Sequence, residues 1–254
     1  MRSFIARSLI FLFYLRSVFS IESWIPSTLQ EEIDSFDTER KYMEVSFHTQ
    51  MPVHVRCEYA LFPGQSKLVH RVNQEIQDYV AIRFNGFVQD EIYSQEKWED
   101  ECSLMYELFP VYQASNLISM YGVDYQGRGC HGCTYYEGKT FWLRGDSVVS
   151  LCLDDLFVPE SKYREFLVNY CENTFRASGY GYYSSLPEMP PELRFDDLDI
   201  FVVADKGLTI IFRAYRVGGW ADGPDTLTIP WIHLKEYIQT DGPLTEIAAS
   251  FPNK

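Results

Sequence analysis

The tetrapeptide Cys130-His131-Gly132-Cys133 is the first group of residues whose types and spacing allow chemistry. Two thiols separated by two residues exchange disulfides when one is held as a thiolate, and a helix N-terminus is the usual means of holding it. Here Thr134-Tyr135-Tyr136 continues as strand and turn, so that dipole is missing and the pair reads as a structural disulfide rather than a thiol–disulfide oxidoreductase site. Zinc needs four ligands and the motif supplies three at most, so neither a metal nor a cofactor is expected. His131 stands beside no Gly-x-Ser-x-Gly or comparable nucleophile motif, which leaves it as a residue that fixes or lines a loop. The pairs Asp154-Asp155 and Asp196-Asp197 invite glycoside hydrolysis, but neighbouring residues of a strand point to opposite faces and cannot flank one sugar. Arg144-Gly145-Asp146 reads as a hairpin turn. No catalytic residue is expected, and the chain reads as non-enzymatic.

The elements that must position these groups follow from periodicity. Val45, Phe47, Val53, Val55 and Tyr59 alternate through 42–61 as a half-buried strand pair would, and Pro63-Gly64 closes the run. Leu68, Val69, Val72, Ile76, Val80, Phe84 and Phe87 recur at helical spacing and predict the clearest amphipathic helix of the chain. Four aromatic-rich strands are predicted over 103–112, 116–124, 134–143 and 147–153, separated by turn chemistry that favours an antiparallel meander. A second helix is predicted from Ser161 to Ser178-Gly179, with Tyr163, Phe166, Leu167, Tyr170 and Phe175 as its stripe. Residues 179–191, rich in Gly, Pro and Tyr, predict an exposed loop in which Tyr180, Tyr182 and Tyr183 present rigid amphipathic area to a partner. Three more strands are predicted over 199–204, 208–215 and 227–231, then a short amphipathic piece around 233–238. Helices among antiparallel strands predict an α+β fold of two closely joined lobes, with helices packed on one sheet face.

The 254 residues are 46% hydrophobic and 16% aromatic, which excludes a disordered chain, collagen and a coiled coil. The first twenty residues carry Arg2 and Arg7 before the apolar run 9–15 and end at Val18-Phe19-Ser20, the pattern of a cleaved signal peptide. Arg16 interrupts that run well short of the roughly 20 residues a bilayer span requires. A secreted or periplasmic product without a stable membrane span is expected. The six cysteines, Cys57, Cys102, Cys130, Cys133, Cys152 and Cys171, then read as disulfides, with Cys57–Cys102 and Cys152–Cys171 as pairings between neighbouring elements. Lys and Arg number 22 against 36 Asp and Glu, a net charge of -14, which disfavours nucleic acid and favours encounter with a cationic partner.

Gly129-Cys130-His131, a strand pair turning at Gly145-Asp146, and Leu151-Cys152-Leu153-Asp154-Asp155-Leu156-Phe157 resemble the Gly-Ala-His and Leu-x-Asp-Leu-Phe signature of the RsiV-like extracellular domain family. Tyr215, Ala221-Asp222-Gly223-Pro224, Thr228-Ile229-Pro230-Trp231 and Leu234 resemble that family's Tyr, Ala-x-Gly-Pro and Ile-Pro-Tyr segment in order and spacing. The resemblance spans about residues 42–240. It implies an extracytoplasmic domain of two α+β lobes, found in a lysozyme-sensing anti-sigma factor and beside PdaC-type peptidoglycan deacetylases. The membrane-bound members' sigma-binding region and the deacetylase module have no counterpart here, so signalling by regulated proteolysis is not expected. The organisation expected is a signal peptide over 1–20, a lead-in over 21–41, an N-terminal α+β lobe over 42–128 and a C-terminal RsiV-like lobe over 129–254. The function expected is an acidic, non-enzymatic envelope protein that binds or inhibits lysozyme or another cationic envelope protein, with Tyr180, Tyr182, Tyr183, His131 and Asp222 as binding residues. The alternative is a peptidoglycan or glycan-binding accessory domain that stacks sugars on Trp142, Trp220 and Trp231.

Overall fold

A computed structural model of the chain describes residues 25–36, 38, 40–48, 52–93, 102–128, 131–185, 192–219 and 225–251. Its elements in chain order are α1 (Ser27–Asp34), β1 (Arg40–His48), β2 (Pro52–Ala60), α2 (Lys67–Tyr93), β3 (Cys102–Gln113), β4 (Leu117–Arg128), β5 (His131–Arg144) and β6 (Ser147–Ser150). They continue with α3 (Tyr163–Ser178), α4 (Tyr182–Ser185), β7 (Phe201–Val203), β8 (Gly207–Phe212), β9 (Asp225–Pro230), α5 (Trp231–Leu234) and α6 (Thr245–Ala249). Two short 3-10 turns, Leu153–Leu156 and Phe195–Leu198, punctuate the second half.

The fold is α+β. One sheet runs β1-β2-β3-β4-β5-β6 and a second runs β7-β8-β9. The expected meander holds for β3 through β6, but β2 and β3 are parallel, because the 27-residue α2 carries the chain back across the sheet before β3 begins. The strand period of two then assigns the two faces. On one face Val53, Val55, Leu104, Leu108, Ile118 and Met120 pack under Leu68, Val72, Ile76 and Val80 of α2. On the other, Phe109, Val111, Tyr121 and Val123 meet Leu29 and Ile33 of α1 and Val202 and Ile211 of the small sheet. The segment 21–41, expected to be only a lead-in, therefore supplies a core helix in its described part. Its apolar positions are too few to show a period.

β4 and β5 pair from Leu117↔Trp142 to Arg128↔His131. The boundary expected between 128 and 129 falls within this hairpin. The two sheets share one interlayer core, and α3 closes a further core over the small sheet with Leu167, Cys171 and Phe175. Gly145 turns the β5–β6 hairpin with φ +59, where Arg144 pairs with Ser147.

The disulfide expectations are corrected. Among the described cysteines, Cys57, Cys102, Cys133, Cys152 and Cys171, no disulfide joins any two. Cys57 lies opposite Tyr106 whereas Cys102 lies opposite Val53, so the register sets their sites four residues apart along the strands. Cys171 is buried in the α3 core, while Cys152 is exposed and donates its S–H to Asp155 Oδ2 at 3.0 Å. Burial pushes the Cys57 and Cys171 thiols up to about 12. Cys130, and with it the Cys130–Cys133 pair, lies outside the described residues.

Glu107 is an acid inside this framework, 7% exposed on β3 beside Glu58 of β2. Burial and the Glu58 charge push its carboxyl up to about 7, against the pull of Arg40 and Arg56, which both bond Glu58 instead. A carboxyl raised in the folded state penalises folding once it must ionise. Its contribution is fully present below about pH 4.5 and is lost as pH rises through about 7. Glu107→Gln removes that ionisation. Urea denaturation at pH 4.5 and pH 8 should show the variant gaining on the parent by roughly 2–3 kcal/mol between the two, at 1.36 kcal/mol per pK unit. An equal difference at both pH values would show that Glu107 ionises normally.

Candidate functional site

The tyrosines expected in an exposed loop form a built corner at the end of α3. Gly179 caps the helix in the left-handed region, and Gly181 follows with φ +52. A Cβ on Gly181 would lie 2.2 Å from the Val217 carbonyl, so only glycine fits there. The Tyr182 N–H donates to that same carbonyl at 2.8 Å and starts α4. The exposed-loop expectation is corrected for Tyr183, whereas Tyr180 stays exposed and residues 186–191 of that stretch lie outside the described residues. Tyr183 is 6% exposed, stacks on Phe175 with ring centroids 5.7 Å apart, and is pushed up to about 12 by burial. Tyr182 is half-buried. Tyr180 keeps an open face, and its hydroxyl donates to Asp225 Oδ1 at 2.6 Å.

Tyr180 stands over a cavity of about 540 Å³ between α1, α3 and the outer strand β9. Ser27, Thr28, Thr174, Ser178, Thr226 and Thr228 bring hydroxyls to it, while Ile25, Phe175 and Leu227 give it apolar patches. Thr28 and Thr226 bond across it at 3.0 Å. Asp225, 2% exposed, lies behind Tyr180 and helps burial push Tyr136 up to about 12. These groups offer hydrogen bonding and stacking area to a ligand.

The remaining sequence candidates are dispersed. His131 opens β5 opposite Arg128, with its side chain outside the described residues, as are Asp222 and Trp220. Trp231 is 6% exposed and donates its indole N–H to the Ala204 carbonyl at 2.9 Å, so it is a core residue and no sugar platform. Trp142 packs half-buried against the α3 core beneath Arg144. Both acid pairs prove to be turn caps: Asp155 accepts the Cys152 N–H and Asp197 accepts the Arg194 N–H, each at 2.7 Å. Asp154 accepts from Tyr163 and Arg164, and Asp197 also pairs with Arg216 at 2.6 Å.

Sequence reasoning missed a charged cluster between α2 and the sheet. Arg83 bridges Asp124 at 2.6 Å and Glu137 at 3.1 Å, and the Tyr79 hydroxyl donates to Glu137 at 2.6 Å. Asp124 is fully buried, and its burial raises its carboxyl despite the arginine. Arg83 falls beside Tyr79, one turn earlier, on the α2 face that carries Val80 and Phe87, and a charge on that face was the available signal. The cluster anchors a helix. Among the described residues no group of three His, Cys, Asp or Glu could hold a metal.

Residues 154–232 match the family model described as "Protein of unknown function (DUF3298)". That segment contains α3, the tyrosine corner and the whole small sheet. The chain is similar to the crystal structure of a DUF3298 family protein from Pseudomonas aeruginosa, at 17% identity and TM-score 0.58, over 82% of this chain and 96% of that one. It is also similar to the crystal structure of a member of the same family from Bacteroides fragilis, at 16% identity and TM-score 0.55, over 85% of this chain and 98% of that one. At these identities the likeness establishes a shared fold. No curated protein matches the chain significantly.

Gly181→Ala tests the corner against a matched control. Gly145, also left-handed, has nothing within 4 Å of an added Cβ, so Gly145→Ala should cost only the about 1–2 kcal/mol of left-handed strain. Gly181→Ala adds a backbone clash and should lose roughly 2 kcal/mol more in urea denaturation. Equal losses would mean that the corner is not held against Val217.

Proposed function

We propose that the protein is a secreted or periplasmic, non-enzymatic binding protein of the cell envelope whose partner is a cationic protein of the lysozyme type. The observation that carries this reading is the open groove beneath Tyr180. Its hydroxyls and apolar patches hold a partner through contact area and hydrogen bonds, and its α3, Tyr180 and β9 walls lie in the segment that carries the DUF3298 match, while α1 supplies the remaining wall. Two further considerations favour the cationic partner: the resemblance to the RsiV-like extracellular family, and the excess of 36 acids over 22 bases. Charge of opposite sign raises the rate of encounter, while a phenol ring at the groove mouth supplies area at low entropic cost. The leader-like first twenty residues support export.

The test is calorimetric titration of the protein, lacking residues 1–20, with a chicken-type lysozyme at low and physiological salt beside a lysozyme activity assay. Micromolar or tighter binding that persists at physiological salt, with reduced lysozyme activity, is expected. Tyr180→Ala should weaken it by about tenfold, the scale of a 1.4 kcal/mol contact. No binding, or heat that disappears with added salt, would overturn the proposal.

A further inference from the structure

A second groove, of about 590 Å³, runs along α3 from Lys162 to Ala177 and shares only Thr174 with the lining of the first. Two stripes at four-residue spacing form its floor. Glu165, Asn169 and Asn173 make one, and Phe166 and Tyr170 begin the other, with Tyr237 closing the side. The rings form one aromatic run: Phe166 lies 5.8 Å from Tyr170 and 4.9 Å from Tyr237, and Tyr170 lies 5.6 Å from His233. Glu165, Asn169 and Asn173 are exposed and make no hydrogen bond or ion pair among the described residues.

We propose that this groove binds a neutral oligosaccharide laid along α3, its rings stacked on Phe166, Tyr170 and Tyr237 and its hydroxyls bonded to Glu165, Asn169 and Asn173. Four residues of helix advance about 6 Å, close to the length of one pyranose, so the successive turns at Glu165-Phe166 and Asn169-Tyr170 each offer an aromatic and a polar contact to one sugar, and Asn173 a polar contact to the next. Sugar hydroxyls donate and accept along the whole length and satisfy side-chain amides. An apolar protein segment seated there would bury those amides unpaired, at about 1–3 kcal/mol each. Lys162 and Glu165 balance each other at one end of the groove, which gives no field for a phosphate chain. The volume falls in the range of about 300–1,000 Å³ typical of small-molecule sites.

This inference uses residues and a ligand class different from those of the lysozyme-type reading, so either can fail alone. The test is calorimetric titration with the β-1,4 tetramer of N-acetylglucosamine and, separately, the β-1,4 tetramer of glucose. Saturable binding of at least one is expected, insensitive to salt, and at least tenfold weaker in the Asn169→Ala/Asn173→Ala variant with an unchanged Tm. Amide NMR shifts on titration should cluster at 162–177 and around 237. Saturable binding of neither tetramer, equal affinity in the variant, or shifts elsewhere would overturn the proposal. So would a dimer that the same variant dissociates, since the face would then belong to a second copy of the chain.

Discussion

The architecture depends on how closely β7 crosses the large sheet. At Gly138 of β5, an added Cβ would sit 1.9 Å from the Phe201 carbonyl, so the two backbones touch where most sheets keep a layer of side chains between them. Beside this contact the buried Ser119 hydroxyl accepts the Val203 N–H at 3.0 Å and lies 2.9 Å from the Thr140 hydroxyl. A short strand thereby has its backbone groups satisfied inside the protein, where an orphaned amide would be costly. Every element after Phe201 inherits its position from this crossing. The small sheet cannot slide without breaking the Ser119 bond, and α3, which packs on that sheet, cannot move without it.

That dependence explains which features were legible in the sequence and which were not. The α2 stripe and the alternating strands could be read because each is a local period imposed by one large apolar face. The parallel β2–β3 pair was also open to reading, since a 27-residue helix between two strands is a crossover, but the turn signals that gave the β3–β6 meander say nothing of that pairing. The crossing at Gly138 was hidden, because a glycine in a strand does not say which distant carbonyl approaches it. Leu29 and Ile33 of α1 gave no period because the helix has only eight residues. Cysteine count carried no register, and the four-residue offset between Cys57 and Cys102 is a property of sheet pairing alone. The tyrosines of the corner were correctly singled out as unusual, but composition could not tell Tyr183, which stacks inside, from Tyr180, which stays at a groove mouth.

The charged residues sort in the same way. Adjacent aspartates looked like candidate acids for catalysis, whereas each pair caps a 3-10 turn, and its second member closes a bond to a backbone N–H three residues earlier. Two of the buried acids, Asp124 and Glu107, are on strands and in unlike company. Asp124 has Arg83, so losing that partner would leave a buried charge unpaired. Glu107 shares its arginines with Glu58 and takes up burial's penalty as a raised carboxyl. Carboxylates in this chain thus serve local architecture in several places, while the excess of acid that remains acts at a distance on whatever approaches.

Helix α3 brings these themes together, because one broad aromatic face serves the core along its middle and a groove along its edge. Tyr163, Leu167, Cys171 and Phe175 face the core, where they are buried against the small sheet. Phe166 and Tyr170 lie at the edge of that face, half-buried against the same core with Tyr237, and touch each other and His233. A core helix needs one apolar stripe, and widening it to these rings leaves their outer edges in water, where their apolar area gains nothing from folding. Alternation with bare amides keeps that stripe soluble and prevents it from closing on a purely apolar neighbour. The core uses the inner edges of these rings, whereas Glu165, Asn169 and Asn173 stand exposed beside them, so it is the polar row that is free of the constraint that begins at Gly138.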